Sequence, residues 1–401
     1  MHPLFDALPP AESITKEDIQ CLEDVRLFRQ DSWQWEELHR GRCTTSKAVL
    51  ALGFLEPNSS RALGITHRLI DKGVTYAYHR MAEDALRTLD DMKSLCEANN
   101  AVDTRPPFLN NSNNNNKDMQ RKNEKIWYGG RSRVNPPFAA LYRGFVSKEA
   151  RLARREDLTH VPKEILASIA RRAWGVAQEP TAVLTALNYF CAQDKGIRIK
   201  EVGLCGVGQS FNHTTKTSNL LVGASPDGLI QYSNGTIEAL EVKNHCPFYL
   251  SGQSDPSAGL FEVRSFGWKK PWLLPLYIPQ VMLEMMCVGP ECRSAVMVRL
   301  SATRGAAIVR IHRDDGWLEE MKYWLNKFQT EFVDKAVPPH ENFFWNDERG
   351  GDRYRSFLSQ TKNLQSKVEL VDIVEHKAIQ RAHWASISEA SLFIRQEEAE
   401  N

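Results

Sequence analysis

The chain has 401 residues, 42% of them apolar, and its 51 basic and 50 acidic side chains leave a formal charge of +1. That length and apolar content support a sizeable core, in one large domain or two ordinary ones. The charge balance excludes a global field for nucleic acid, so any such contact must be a local patch. Proline, glycine or charge interrupts every apolar segment before it reaches the length of a membrane span, and no membrane partner is expected. The start, Met-His-Pro-Leu-Phe-Asp-Ala-Leu-Pro-Pro-Ala-Glu, lacks the basic and apolar regions of a secretory signal, so an intracellular place is expected. The eight cysteines are scattered without a Cys-x-x-Cys pair, which fits a reducing compartment and gives little support to a structural zinc or iron–sulfur cluster.

In chain order, residues 1–30 read as a polar lead-in, 31–335 as the main domain and 336–401 as a charged, partly helical extension. Thr44, Thr45 and Ser46 are N-cap candidates for a short helix over Lys47 to Leu52. A hydroxyl-capped helix start beside Arg40 and Arg42 is a ready anion site, although an ordinary capped helix with solvated arginines accounts for the same residues. Thr75 to Ala98 has the spacing of one long amphipathic helix, with Tyr78, Met81, Ala85, Leu89 and Met92 on one face. The asparagine-rich run near 110 marks a polar, low-complexity insertion at about 100–125. After it, Arg121, Lys122, Lys125, Arg131, Arg133, Arg143, Lys148, Arg151, Arg154 and Arg155 outnumber the acids. Trp127, Tyr128, Phe138, Tyr142 and Phe145 are interleaved with them. Basic residues with aromatics suit a nucleic-acid backbone, and a solvated flank explains them equally.

Val161 to Ala192 reads as helical, with Gly175 and Pro180 predicting a break and a second helix opening near Glu179. Arg198 to Phe211 and Leu220 to Val222 are strand-like. Leu229 to Tyr232 and Thr236 to Val242 then make a hairpin around Ser233-Asn234-Gly235. Asp227 stands at the mouth of its first strand. Glu241 and Lys243 are two apart on the second, so both point to one face, roughly 7 Å apart along the strand. A core does not need two acids and a lysine converging there, although Asp-Gly turns and outward Glu/Lys pairs also occur on solvated hairpins. Residues 251–272 read as a loop, and Leu276 to Cys287 as a buried helix with Gln280 near its start. Arg293 to Leu300 and Ala306 to His312 form a second strand pair, and Asp314 to Asp334 an amphipathic helix closing the core.

Metal-assisted phosphodiester hydrolysis needs hard oxygen ligands. Asp227, Glu241 and the Val242 carbonyl could supply them, with Glu179 reaching a second ion. Lys243 could orient or deprotonate the attacking water, and Ser225 and Gln280 could hold phosphate oxygens or that water. Ser-Pro-Asp-Gly-Leu followed by Leu-Glu-Val-Lys-Asn-x-Cys-Pro-Phe resembles the core of the PD-(D/E)XK nuclease superfamily. More narrowly it is similar to the lambda-type alkaline exonucleases, or YqaJ-type viral recombinases. Three further segments match in order: Trp35-x-x-Leu-x-x-Gly-x-x-Thr-x-Ser46, Ala173-Trp-Gly-x-x-x-Glu179-x-x-Ala182 and Tyr277-x-x-Gln280-Val. They span about 35 to 330, with 56–160 only loosely matched.

The resemblance implies an α/β, restriction-endonuclease-like core, a mixed central β-sheet flanked by helices. It implies Mg²⁺ (or Mn²⁺) held by Asp227, Glu241 and the Val242 carbonyl, with Glu179 on a second ion. Lys243 is implied as base or water-orienting group, Gln280 and Ser225 as supporting contacts, and Ser46 on a terminal 5′-phosphate. His39 stands where the family has an arginine, with Arg40 and Arg42 beside it. The implied activity is 5′–3′ exonuclease action on duplex DNA ends in recombination or repair. A trimeric ring and an annealing-protein partner come with the same resemblance. Internal cutting with the same metal site, or DNA binding without catalysis, are the alternatives.

Overall fold

The computed structural model describes residues 33–65, 73–83, 92–95, 163–206, 210–211, 220–250, 261–263, 267–346 and 351–379, together with Arg26, Phe28 and Gln30. The expected insertion at 100–125 and the basic stretch from 117 to 160 lie outside them, as do nearly all of the lead-in and residues 380–401 of the extension.

The chain opens with α1 (Trp33–His39), β1 (Cys43–Thr44), α2 (Thr45–Ala51), α3 (Pro57–Leu63) and α4 (Val74–Met81). The long helix α5 (Lys163–Cys191) precedes β2 (Arg198–Lys200), β3 (Ser210–Phe211), β4 (Leu220–Gly223), β5 (Gly228–Gln231) and β6 (Ile237–His245). A ribbon of β7 (Phe248–Leu250) and β8 (Phe261–Val263) follows, and then α6 (Ile278–Val288). The rest comprises β9 (Cys292–Ser301), β10 (Gly305–His312), α7 (Asp315–Phe328), α8 (Asp352–Ser366) and β11 (Glu369–Val374).

A mixed six-stranded sheet in the order β11-β10-β9-β6-β5-β2 carries the architecture. Every neighbouring pair is antiparallel except β6 and β9, which run parallel. A parallel pair requires a crossover, and α6 supplies it, packing on both strands it connects. Alternation divides the side chains between two cores. Ala239, Ala295 and Met297 face α6 with Val281, Met282 and Met285, whereas Leu240, Val242, Val296 and Val298 face α5 with Ala182, Ala186 and Phe190. Burial on both faces explains why the middle of β9, from Ala295 to Val298, is an unbroken apolar run. On the α5 side, Glu238 is fully engaged: it accepts from Ser294 Oγ at 2.6 Å, from Arg310 Nε at 2.7 Å and from the Tyr232 hydroxyl. This network clamps the hairpin turn to β9 and β10. Among the described residues no helix is long and apolar enough to cross a membrane.

The elements depart from the sequence expectations in four places. Helix α5 is unbroken through Gly175 and Pro180. Proline leaves the Val176 carbonyl without its helical donor, but Val176 and Pro180 are both exposed, where water replaces that bond. The helix expected over 75–98 stops at Met81, with bends at 82 and 83, although no glycine or proline announces the stop. Within 251–272, expected as a loop, β8 pairs with β7. The described part of the expected extension is joined to the core, with β11 as an edge strand of the main sheet and α8 in the largest apolar cluster. There the Tyr354 hydroxyl donates to the Leu52 carbonyl at 2.7 Å, and Trp317 Nε1 donates to Thr361 Oγ1 at 3.0 Å.

The β9–β10 turn depends on Gly305, whose φ of +86° favours glycine and whose missing Cβ leaves room for the Val374 carbonyl of β11. Gly305→Ala is expected to cost about 1–3 kcal/mol. Urea unfolding of the full chain checks this, and an unchanged midpoint would separate β11 from the cooperative fold.

Candidate functional site

The site is built where one strand stops and its neighbour continues. β5 begins at Gly228, opposite Leu240, while β6 runs on to His245 without it. Asp227, the residue just before β5, fills the place of the missing ladder partner: its Oδ2 accepts the Val242 N–H at 2.7 Å. The N–H and C=O of a strand residue project to the same edge, so the Val242 carbonyl faces the same open side.

Glu241 and Lys243 stand together on the α6 face of β6 and form an ion pair. Lys243 Nζ also lies 5.4 Å from the centre of the Tyr277 ring, at the entrance to α6. Gln280, one turn on, donates from Nε2 to Glu284 Oε1 at 3.0 Å. Glu179 approaches from α5, on the opposite face of the sheet. Asn244 holds α5 to β6 through a 2.9 Å bond from its Nδ2 to the Gly175 carbonyl, one helical turn before Glu179. The structure thus brings Asp227, Glu241, Lys243, Gln280 and Glu179 to one end of the sheet from four separate elements.

Electrostatics at this end are dominated by acids. Burial first, then the charge of Glu241 and more weakly that of Glu179, hold Asp227 well above the usual carboxylate range against the pull of Lys243. Glu284 is raised in the same sense by burial, with Glu241 adding to it. Burial alone would lower the Lys243 ammonium, but Glu241 and Asp227 outweigh it and raise this group above its ordinary value. Lys243 is therefore firmly protonated here.

Glu284 is the residue that sequence reasoning missed. It is completely buried, and among the described residues its Oε2 has no hydrogen-bond partner. Its signal was legible: a lone acid in Ile-Pro-Gln-Val-Met-Leu-Glu-Met-Met-Cys, four residues after Gln280, where charge is rarely buried without a reason.

Around the N-terminal segment the candidates divide. Ser225 accepts from Trp35 Nε1 at 2.9 Å, which docks α1 onto the β4–β5 connection. Ser46 is exposed, and Arg40 is on the surface, paired with Glu37 at 3.0 Å. Arg42, by contrast, is wholly buried and points its Nη1 at the Val222 carbonyl, 3.4 Å away. Buried Lys47 bonds the His39 and Arg42 carbonyls at 2.8 and 2.7 Å, and burial lowers its pKa to about 8. Burial likewise lowers His39 to about 4, and its ring lies against Trp35 with centroids 3.7 Å apart. Thr44 occupies the N-cap of α2 but makes no side-chain cap bond, lying instead 3.5 Å from Ser46 Oγ. The expected hydroxyl-capped start is thus absent. The cations nearest the strand run inward to satisfy carbonyls.

Among the described residues, no three His, Cys, Asp and Glu side chains are arranged to hold a metal ion as they stand. The donor set nevertheless fits a hard cation. Asp227 and Glu241 repel each other in a partly buried setting, and the open edge of β6 carries the Val242 carbonyl beside them. No family model, curated protein or solved structure matches this chain.

The raised acids set a pH dependence. An acid whose pKa is higher in the folded chain binds more protons when folded, so its contribution to stability falls as pH rises above the ordinary carboxylate range near 4. Asp227→Asn and Glu284→Gln are each expected to shrink the loss of stability between about pH 5 and about pH 8. Urea midpoints at the two pH values test this, and a pH profile identical to the parent in both variants would refute the assignment.

Proposed function

We propose that this chain is a Mg²⁺- or Mn²⁺-dependent deoxyribonuclease with a restriction-endonuclease-like core, acting on duplex DNA ends as a 5′–3′ exonuclease. One observation carries the reading: Asp227 caps the free edge of β6 at Val242, with Glu241 and Lys243 beside it on that strand. The helical acid Glu179 and the helical amide Gln280 approach from opposite faces of the same sheet.

Asp227, Glu241 and the Val242 carbonyl would hold one ion, and Glu179 would reach a second. Bound there, the metal supplies Lewis-acid charge and a water of lowered pKa. Lys243, ion-paired with Glu241 on the same face of β6, would orient or deprotonate the water and offset charge on the phosphate. Ser225, fixed by Trp35, lies beside Asp227 in the same connection and can donate its hydroxyl to a phosphate oxygen. With Arg42 inside the protein, Arg40 and Ser46 remain on the surface to meet a DNA end.

The test is cleavage of end-labelled linear duplex with and without Mg²⁺, alongside nicked circular DNA. The parent is expected to degrade the linear substrate only with the metal. Asp227→Ala and Lys243→Met should each lose about a hundredfold or more in kcat while remaining folded. Full activity in Asp227→Ala would refute the site. Equal rates on circular and linear DNA would replace the exonuclease with an endonuclease.

A further inference from the structure

A fully buried carboxylate in an apolar helix is costly, and it persists where it holds something else in place. Glu284 shares its helix with nine apolar residues and one amide, and it faces Glu241, Lys243 and Asp227. Tyr277, Gln280 and Glu284 follow one another at i, i+3 and i+7, so they form a single stripe. Tyr277 at one end of the stripe meets Lys243, and Glu284 at the other faces Glu241. Gln280, between them, looks at the same charges. Its Nε2 is committed to Glu284 Oε1 at 3.0 Å.

We propose that Glu284 is a positioning residue: it turns the Gln280 amide so that the carbonyl oxygen, an acceptor, is the end presented to the attacking water. The inference rests on the nuclease reading and decides between the two roles that the sequence left open for Gln280. An amide carbonyl can accept a hydrogen bond from water or from Lys243, but it cannot hold a phosphate oxygen, which is itself an acceptor. With one Nε2 hydrogen bound to Glu284, the carbonyl end of Gln280 orients the nucleophile, and Ser225 and Lys243 supply phosphate contacts. The unpartnered Oε2 of Glu284 is what this arrangement leaves behind.

The exchanged pair Gln280→Glu with Glu284→Gln supplies the decisive variant, because it keeps one donor and one acceptor between the two positions and still offers an acceptor to the water. Glu284→Leu removes the acceptor for the amide and replaces the carboxyl with apolar volume. Glu284→Leu is expected to lower kcat on end-labelled duplex about a hundredfold with KM unchanged. It should unfold at no lower urea concentration than the parent, because an incompletely bonded buried carboxyl is gone. The exchanged pair should recover kcat to within about tenfold of the parent. Parent-like kcat in Glu284→Leu would overturn the inference. So would an exchanged pair no better than Glu284→Leu, or a lower urea midpoint with unchanged kcat per folded molecule. A parent that does not cleave overturns the nuclease reading and this inference together, whereas a cleaving parent with an indifferent Glu284→Leu overturns the inference alone.

Discussion

The hydrogen bond from the Val242 N–H to Asp227 is the contact on which the site depends. β6 is longer than its neighbour β5, and a strand edge left without a partner would normally be solvated or covered. Here a side-chain carboxylate takes the place of the missing backbone acceptor. One contact therefore terminates the ladder, fixes the rotamer of Asp227 and holds its second oxygen beside Glu241. Because Asp227 belongs to the backbone entering β5, its place is set by sheet register and not by a mobile loop.

Charge balance at this end of the sheet points the same way. Among the described residues Lys243 is the cation facing Asp227, Glu241 and Glu284, and burial, with the charge of Glu241 adding to it, raises Asp227 and Glu284 in the folded chain. A protein selected for stability alone would fill this space with apolar side chains, as it does along α6 apart from Gln280 and Glu284. The retention of these acids at the end of the sheet is the feature on which the proposed cation site rests. The contrast with Glu238 on the other face is instructive. That acid is equally buried, yet Arg310, Ser294 and Tyr232 satisfy it, and its pKa is lowered in spite of burial.

The N-terminal segment follows a different logic. Arg42 looks in the sequence like a cation waiting for an anion, but it and Lys47 both turn to backbone carbonyls inside the fold. They hold α1 and α2 against β4, and through Trp35 and Ser225 that docking reaches the residue pair before Asp227. A basic residue in a hydroxyl-rich segment carries no label saying whether it turns inward, since its long apolar stem allows either course.

The sequence by itself determined the hairpin and which of its charges share a face. Alternation over Leu229–Tyr232 and Thr236–Val242, with a Ser-Asn-Gly turn between, required a hairpin, and the spacing of Glu241 and Lys243 required them to share a face. The mixed central sheet flanked by helices, which the resemblance implied, is the architecture found. Only the tertiary structure decided that α5 continues through Pro180, that β11 closes an edge of the main sheet, that Arg42 lies inside and that Glu284 supports Gln280. Periodicity reports which face a residue shares with its neighbours in the chain. It cannot report which distant element arrives opposite that face, and the site is made by four elements meeting there.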